Sequence, residues 1–294
     1  MRYALTLLTL VLASCGPQSP PEPVVVHIAG EEGGPLSEDL EAFTEDTGAL
    51  LDVRWGKSEA IFDALIENSG DPADVLITDD VADIWRAADR GALRPIQSAA
   101  IESQPAVLRD PDRYWATLSA KPIAIYHHNA ARPLTVDLVD LGSPEFAGRL
   151  CLSSSALPVS RMLIGLLVHE RGNKETERLV RRWVRNLAMY PHDTESQLLQ
   201  AVASGECEYG LASTQKEIEG ATAFLPQPHL YSVTVLGVGR HANNPSGAEH
   251  LVDWLLGNRA TLLRSPDEYE PTPVHVAGWR DEEARLLAER AGYR

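Results

Sequence analysis

The apolar positions of the first quarter of the chain follow two alternating patterns, short continuous runs and helically spaced stripes. Val24–Ile28 is a run rich in β-branched residues, which is typical of a strand buried on both faces, and further strands are predicted at Leu50–Trp55 and Asp74–Thr78. Stripes with helical spacing follow these runs, and the first two begin near the capping residue Ser37 and near Lys57. This β-α-β-α order predicts a parallel, doubly wound sheet with ligand-binding loops at the carboxyl ends of its strands.

A second region with the same alternation begins at Lys121–Tyr126. Further strands are predicted at Gly148–Leu152 and Glu208–Ala212, and Val233–Val238 is predicted to cross back towards the first region. Helices are predicted at Pro158–His169, at Glu175–Leu187, from the cap Thr194 to Val202, and at Ala248–Leu256. The pattern therefore predicts two α/β lobes that are joined by crossing strands.

Composition narrows the class of protein without changing this architecture. The 294 residues include 26 Lys and Arg against 42 Asp and Glu, which gives a formal net charge of −16. Such a charge argues against nucleic-acid binding, which needs a basic surface, and against adhesion of the folded part to anionic lipids. The length is sufficient for one large or two medium domains.

The first 14 residues have the pattern of a targeting segment. Arg2 precedes the apolar run Ala4–Leu12, which is too short for a stable membrane-spanning helix. The sequence Leu12–Cys15 resembles a bacterial lipobox, which implies cleavage before Cys15 and lipidation of that residue; the alternative is an ordinary signal peptide with a chance cysteine. Residues 15–23 are rich in proline and polar residues and are predicted to be a tether between the lipid anchor and the folded domain.

An ordered series of motifs resembles one family, the ferric-iron-type periplasmic substrate-binding proteins of ABC importers. The motifs are Trp55–Glu59, Pro72–Asp79, Gly91–Pro95, Tyr114–Ser119, Phe146–Ser155, Ala201–Cys207 and Tyr269–Val274. The resemblance implies an α/β, type II periplasmic binding protein fold, in which doubly wound sheets are joined by crossing hinge strands. Lobe 1 is then expected to comprise residues 24–119 and 238–267, and lobe 2 residues 120–237 and 268–294.

The same resemblance carries expectations about location, partners and cysteine chemistry. It implies a monomer outside the cytoplasm that delivers a small ligand to an importer permease, contacts the membrane only through its lipid, and has no resident cofactor. The resemblance is closest to the cyanobacterial-like ferric binders, which carry a cysteine pair that corresponds to Cys151 and Cys207 of this sequence. In an oxidising compartment a disulfide is the expected state of this pair, and two buried free thiols are the alternative.

The ligand positions are where this sequence departs from the family. Family members hold ferric iron with tyrosinates, often with a histidine from the loop after the first strand, because a hard cation prefers anionic oxygen donors. Here the first-strand positions are Glu31 and Glu32, and the consecutive tyrosines of lobe 2 are replaced by residues 215–217, Gln-Lys-Glu. Pro158 stands where some members have a further tyrosine.

The expected ligand-binding residues are therefore the polar residues that occupy the loops facing the cleft. They are Glu31, Glu32, Ser58, Asp79 and Asp80 from lobe 1, and Ser154, Ser155, Gln215 and Lys216 from lobe 2. Local roles are alternatives for several of them: acidic residues also complement helix dipoles, and aspartates and serines also cap helices.

Three interpretations of the cleft stay open at this point. It could bind a zwitterionic or cationic organic molecule, a hard cation or chelated iron through carboxylates and Lys216, or no ligand at all, in a partner-binding or regulatory protein. The sequence contains no G-x-S-x-G, H-E-x-x-H, Walker or G-x-G-x-x-G motif after a strand, so an enzyme is not expected.

Overall fold

A computed structural model describes residues 22–30, 32–33, 35–70, 72–131, 137–213, 218–227, 229–259 and 273–294. The strands are β1 Val24–Ala29, β2 Leu51–Gly56, β3 Val75–Thr78, β4 Leu93–Arg94, β5 Trp115–His128, β6 Leu150–Cys151, β7 Tyr209–Ser213, β8 Ala221–Phe224 and β9 Tyr231–Gly239. The helices are α1 Pro35–Thr47, α2 Ser58–Ile66, α3 Val81–Asp89, α4 Ala99–Glu102, α5 Pro158–Arg171, α6 Asn173–Arg185, α7 Glu195–Ser204, α8 Pro245–Arg259, α9 His275–Trp279 and α10 Asp281–Ala291. No helix among these residues is both long and apolar enough to span a membrane.

The first sheet contains the parallel strands predicted from the apolar runs. β1 lies between β2 and β3 and is parallel to both, while β9 pairs antiparallel with β3 and then with the first part of β5. Val24, Val26 and Ile28 of β1 alternate into a core that they share with Phe43 of α1 and Leu251 of α8. The β-branched runs form this sheet because helices cover both of its faces.

The second sheet is smaller and shares strand β5. The distal part of β5 pairs antiparallel with β7 and β8, and the two-residue strand β6 pairs parallel with β7. Helices α5 and α6 supply most of the apolar cover, and Trp183 of α6 is fully buried with its Nε1 donating to the carbonyl of Leu138 at 2.9 Å. The prediction of two sheets crossed by shared strands is confirmed.

The connection between the sheets is a two-stranded antiparallel ribbon. Ser119–Pro122 of β5 pairs with residues 231–234 of β9, and a register shift occurs between Thr117 and Ser119. The sequence pattern placed the first crossing strand at Lys121, whereas β5 begins at Trp115. The lobe bounds given above stay a prediction.

The capping residues and apolar runs predicted some ends of helices and strands correctly and others incorrectly. Thr194 caps α7 as predicted, and Gly205 follows the end of that helix with a left-handed φ of 81°. Helix α1 begins at Pro35 and not at the predicted cap Ser37, whose hydroxyl instead accepts a hydrogen bond from the amide of Gly33 at 3.1 Å. The pattern also missed β8, whose short sequence has no continuous apolar run.

The predicted disulfide is present in lobe 2. Cys151 at the end of β6 is bonded to Cys207 in the turn before β7, and their Cα atoms lie 6.0 Å apart. Both residues are buried in an apolar cluster with Leu198, Val202 and Ala212. The bond therefore fastens the shortest strand of the second sheet to the turn between α7 and β7.

Candidate ligand-binding cleft

A cavity of about 570 Å³ lies where elements of the two sheets face each other. One wall is formed by the first turns of α2 and α3, and the other by the first turn of α5 together with α9 and α10. Its lining residues are Ser58, Glu59, Asp80, Ala82, Asp83, Trp85, Arg86, Ala156, Pro158, Arg161, Gly278, Trp279, Asp281, Glu282 and Arg285. The lining combines carboxylates, guanidinium groups and two indole rings.

Ser58 and Asp80, two of the predicted ligand residues, reach this cavity through the end of β3. The hydroxyl of Thr78, the last residue of β3, lies 3.2 Å from the hydroxyl of Ser58 and accepts a hydrogen bond from the amide of Asp80 at 2.9 Å. Asp80 also caps α3, because its Oδ1 accepts from the amide of Ala82 at 3.0 Å. The capping role that was an alternative for Asp80 is therefore real, and it fixes the carboxylate at the cavity wall.

Arg161 connects the two walls. Its Nη2 donates to Oδ2 of Asp80 on α3, its Nε donates to Oδ1 of Asp281 on α10 at 2.7 Å, and its Nη1 donates to the carbonyl of Ala156. The three side chains are largely shielded from solvent, with 9% of Asp80, 16% of Arg161 and 24% of Asp281 exposed. Burial alone would lower the pKa of Arg161, but the two carboxylates raise it, so the guanidinium stays charged.

Two further carboxyl groups at this edge have raised pKa values. Partial desolvation is the main cause at both Asp79 and Asp83, and the charge of Asp80 raises both pKa values further. Asp79 is the more solvent-exposed of the two, and the charge of Glu195 raises its pKa further. The protein thus concentrates acidic groups at the carboxyl end of β3, and Arg161 neutralises only part of that charge.

Glu195, whose charge raises the pKa of Asp79 further, is a residue near this edge that the sequence analysis missed. It is the first residue of α7, and its two carboxylate oxygens accept from the amide and the hydroxyl of Ser213 at 2.5 and 2.8 Å. Ser213 ends β7, and residues 214–217 follow it. The available signal was the cap Thr194, which placed a helix start, and therefore Glu195, beside the end of a predicted strand.

Ser154 and Ser155 lie in the turn before α5 and are occupied by local hydrogen bonds. The hydroxyl of Ser154 accepts from the amide of Ala156 at 3.2 Å, and that of Ser155 donates to the carbonyl of Tyr293 at 3.2 Å. Neither residue lines the cavity, although Ala156 and Pro158 of the same turn do. The predicted turn therefore borders the cavity, and a ligand-binding role for Ser154 and Ser155 stays a prediction.

Of the predicted ligand-binding residues not yet mentioned, Glu32 is the one that the structure describes, and it does not line this cavity. Glu32 is exposed and lines a separate depression with Trp55 between α1 and the edge strand β2. Glu31, Gln215, Lys216 and the lipidation candidate Cys15 lie outside the described residues.

No tyrosine among the described residues lines the cavity. Tyr209 is buried against Phe146, Tyr231 and Tyr293 are buried, and Tyr190 is 91% exposed. Within the described ranges, the cavity carboxylates also do not form a group of three with oxygen atoms close enough to share one metal ion. The described walls therefore provide neither tyrosinate donors nor a compact carboxylate site for a small cation.

Two α/β lobes that face each other across a polar cavity and are joined by crossing strands define a two-lobed, type II periplasmic binding protein. Residues 24–262 match the family of bacterial extracellular solute-binding proteins, and the chain belongs to that family. The fold class expected from the sequence is confirmed, and the family is one of binding proteins rather than of enzymes.

The relatives also confirm the resemblance to ferric-iron-type binders. The chain is 28% identical over 292 residues to iron uptake protein A1 of Synechocystis, which covers 88% of this chain and 81% of that protein. It is 22% identical to the Fe(3+)-binding periplasmic protein of Serratia marcescens, with 79% and 73% of the two chains covered.

Solved structures support the same fold. A Trichodesmium protein (IdiA, FutA) in complex with iron and citrate ligands has a TM-score of 0.80 at 22% identity, covering 93% of this chain and all of that one. The ferric binding protein of Campylobacter jejuni has a TM-score of 0.81 at 20% identity and covers 92% of this chain and all of its own. At these identities the likeness concerns the fold.

Proposed function

We propose that this protein is an extracytoplasmic substrate-binding lipoprotein of an ABC importer whose cleft takes a small organic or chelated ligand rather than free ferric iron. The observation that carries the proposal is the lining of the 570 Å³ cavity by arginines, carboxylates and tryptophans, with no tyrosine from the described residues. A cavity of this size suits an organic ligand, since small-molecule pockets span about 300–1,000 Å³.

The chemistry of the lining favours a ligand that carries both charges or a carboxylate-rich chelator. Arg86 and Arg285 pair with Asp83 and Glu282 of the same walls, and their guanidinium groups can exchange these partners for ligand carboxylates, which arginine binds in a bidentate manner. Asp83 and Glu282 supply acceptors for a cationic or hydroxyl group, and Trp279, which is 55% exposed, supplies an apolar face. For a bare trivalent cation, the described walls offer neither a tyrosinate nor a compact group of three carboxylates.

Chelated iron remains compatible with this cavity and with the iron-related names of the relatives. A citrate-like chelator carries carboxylates that arginines can bind, so the metal would enter already coordinated and would not need protein tyrosinates. Iron would then be the transported cargo, and the protein would recognise the chelator that surrounds it.

The anchor and the importer complete the proposal. The lipobox-like Leu12–Cys15 and the proline-rich residues 15–23 would tether the folded lobes to a bacterial membrane facing the periplasm or cell surface. Closure of the lobes over ligand would then present the complex to an importer permease, as expected for a monomeric binding protein of this family.

A titration of the purified, metal-stripped protein tests the ligand class. Weakly complexed ferric iron, ferric citrate, citrate alone and a panel of zwitterionic amino acids would be added, with the melting temperature and visible absorbance recorded for each. We expect ferric citrate or an organic compound to raise the melting temperature, and weakly complexed ferric iron to give no tyrosinate-to-iron absorption band. Arg285→Gln should weaken the response, whereas Arg290→Gln, an exposed arginine of the same helix that pairs with Glu177 outside the cavity, should not.

Two results would contradict the proposal in different ways. A visible tyrosinate-to-iron absorption band, together with strong stabilisation by free ferric iron, would mean that tyrosines complete an iron site. The proposal of an altered ligand specificity would then be wrong. No response to any compound would reject ligand binding of the tested classes and favour a partner-binding or regulatory relative of the family.

A further inference from the structure

A group of soft metal-binding atoms lies in lobe 2, apart from the residues that line the cleft. Among the described residues, it is the one cluster of at least three histidine, cysteine or acidic side chains whose ligand atoms lie close enough to hold an ion. It consists of Cys151, Cys207 and His192, and one ligand atom from each lies within 4.8 Å of the other two.

The backbone explains how His192 reaches the two cysteines. The segment between α6 and α7 runs parallel to β6: Leu150 bridges Leu187, Ser153 bridges His192, and the amide of His192 donates to the carbonyl of Leu152 at 2.9 Å. Cys151 is therefore flanked on both sides by residues that fasten this segment in place. The imidazole is held beside the sulfur atoms by main-chain hydrogen bonds and does not depend on the disulfide for its position.

The imidazole has an unused polar atom. Nε2 of His192 is buried and has no hydrogen-bond partner, which is uncommon because a buried polar nitrogen normally finds one. The surrounding cluster is apolar, with Leu198, Val202 and Ala212 packed around the cysteines and Met189 at its edge. A bound cation would supply a partner for the imidazole that this apolar surrounding does not.

We propose that the reduced form of Cys151 and Cys207, together with His192, is a binding site for a thiophilic divalent cation such as Zn²⁺. Two thiolates neutralise the charge of Zn²⁺, so the complex can lie in an apolar cluster at low cost. Two cysteines and one histidine form a known zinc donor set that leaves one coordination position open. His192 is only partly buried, so water can reach that position.

The disulfide makes this site conditional on a reductant. A dithiol supplies two electrons and two protons and is itself oxidised to a disulfide, or a phosphine supplies the two electrons and becomes the phosphine oxide while water supplies the two protons and the oxygen. Either reaction breaks the S–S bond and gives two thiols. Binding of Zn²⁺ then displaces both protons, because the metal ligand is the thiolate. The sulfur atoms must move apart on reduction from bonded contact to the separation of two zinc ligands, and each lies at the end of a short strand or in a turn.

Zinc binding should be measured on the full chain before and after reduction with a phosphine that is then removed anaerobically. Co²⁺ would serve as the spectroscopic probe, since thiolate coordination gives near-ultraviolet charge-transfer absorption, and Zn²⁺ affinity would be measured against a chromophoric chelator. We expect one ion per reduced chain, no binding by the oxidised chain, and at least about tenfold weaker binding in His192→Ala. His241→Ala, which removes an exposed histidine elsewhere, is the matched control.

Each outcome decides the proposal. Equal Zn²⁺ binding by oxidised and reduced chains, or full-affinity binding by His192→Ala, overturns it, as does persistence of the cobalt absorption in the Cys151→Ser, Cys207→Ser double variant. If reduction abolishes the melting transition, recovery of the transition on addition of Zn²⁺ supports the site and failure to recover it overturns the site. The measurement uses no cleft ligand, so its failure would leave the proposed function untouched.

Discussion

The cleft and the cystine cluster both hold polar or reactive atoms away from solvent, but they do so in opposite ways. At the cleft, Arg161 joins Asp80 to Asp281 through ionic hydrogen bonds between different elements. At the cystine, one covalent bond joins Cys151 to Cys207 within a single lobe. Ionic groups can exchange their partners for water when surfaces separate, whereas a disulfide breaks only when it is reduced. Contacts that can open therefore join the lobes, and a covalent contact lies within one lobe.

The largest loss of stability is expected from removing the disulfide. Replacing both cysteines with alanine should reduce the free energy of unfolding by about 4 kcal/mol, because the bond closes a long loop between residues separated by 56 positions. Urea unfolding followed by circular dichroism would measure this loss. Wild-type protein kept in reductant without metal should lose stability to a similar extent, and an unchanged midpoint in the double variant would contradict the structural role of the bond.

A somewhat smaller effect is expected at the ionic bridge. Arg161→Ala removes the cation from the carboxylates of Asp80 and Asp281, which are largely shielded from solvent. It should lower the free energy of unfolding by about 3 kcal/mol. This is the lower end of the range for buried pairs, because Asp281 is partly exposed. Adding Asp80→Asn and Asp281→Asn to Arg161→Ala should recover part of the loss. Arg181→Ala, which breaks an exposed pair with Glu177, should change stability by less than about 0.5 kcal/mol and serves as the control. Equal losses of stability in Arg161→Ala and Arg181→Ala would show that the bridge at the cleft stabilises the protein no more than an exposed ion pair does.

The buried hydroxyl of Tyr293 provides a third, smaller test, since it fastens the C-terminal end of the chain beside the turn that leads to α5. It donates to the carbonyl of Ser153 at 2.5 Å and lies 3.3 Å from the hydroxyl of Ser160. Tyr293→Phe should lower the free energy of unfolding by about 1 kcal/mol, because the carbonyl loses its donor in a buried position. Tyr190→Phe, at an exposed ring, should be neutral in the same urea assay, and a comparable loss there would contradict the assignment.

The smallest expected effect is a pH dependence at the open edge of the cleft. The pKa of Asp79 is raised, mainly by desolvation and then by the charge of Asp80. A raised carboxyl pKa means that the folded state binds the proton more tightly than the unfolded state, so stability falls as the pH rises through the folded pKa. Asp79→Asn should therefore melt slightly higher than wild type at pH 7, and the two should converge below the pKa of an ordinary aspartate. A variant that melts lower at pH 7 would show that the carboxylate makes a favourable contact.

The sequence predicted the architecture well, because buried parallel strands and amphipathic helices leave strong periodic signals. Val24–Ile28, Thr194 and Gly205 could be assigned from local physics alone, since burial, capping and left-handed backbone act over a few residues. The start of β5 at Trp115 could not, because the first half of β5 pairs with a strand more than 100 residues further along the chain and carries no alternation of its own.

The site was predictable only in part, for a related reason. Asp80 and Ser58 follow strands β3 and β2, so chain order alone places them at the sheet edge. Arg161 and Asp281 lie inside or at the start of helices distant in sequence, and only tertiary packing brings their side chains to Asp80. His192 has no ligand-like spacing to either cysteine, and its place beside them depends on two main-chain bridges to β6 and the turn after it.

The ribbon formed by β5 and β9 also bears on the order in which the protein can fold. Strand β3 is central in its sheet, yet its second neighbour, β9, comes from the last quarter of the chain, and α8, which covers that sheet, follows β9. A chain emerging from its N-terminus therefore exposes an incomplete first lobe until nearly all of it has been released. The second lobe can assemble most of its own sheet earlier, but α10, which packs against α5 and α6, follows α8, so both lobes are completed only when the last helices are available.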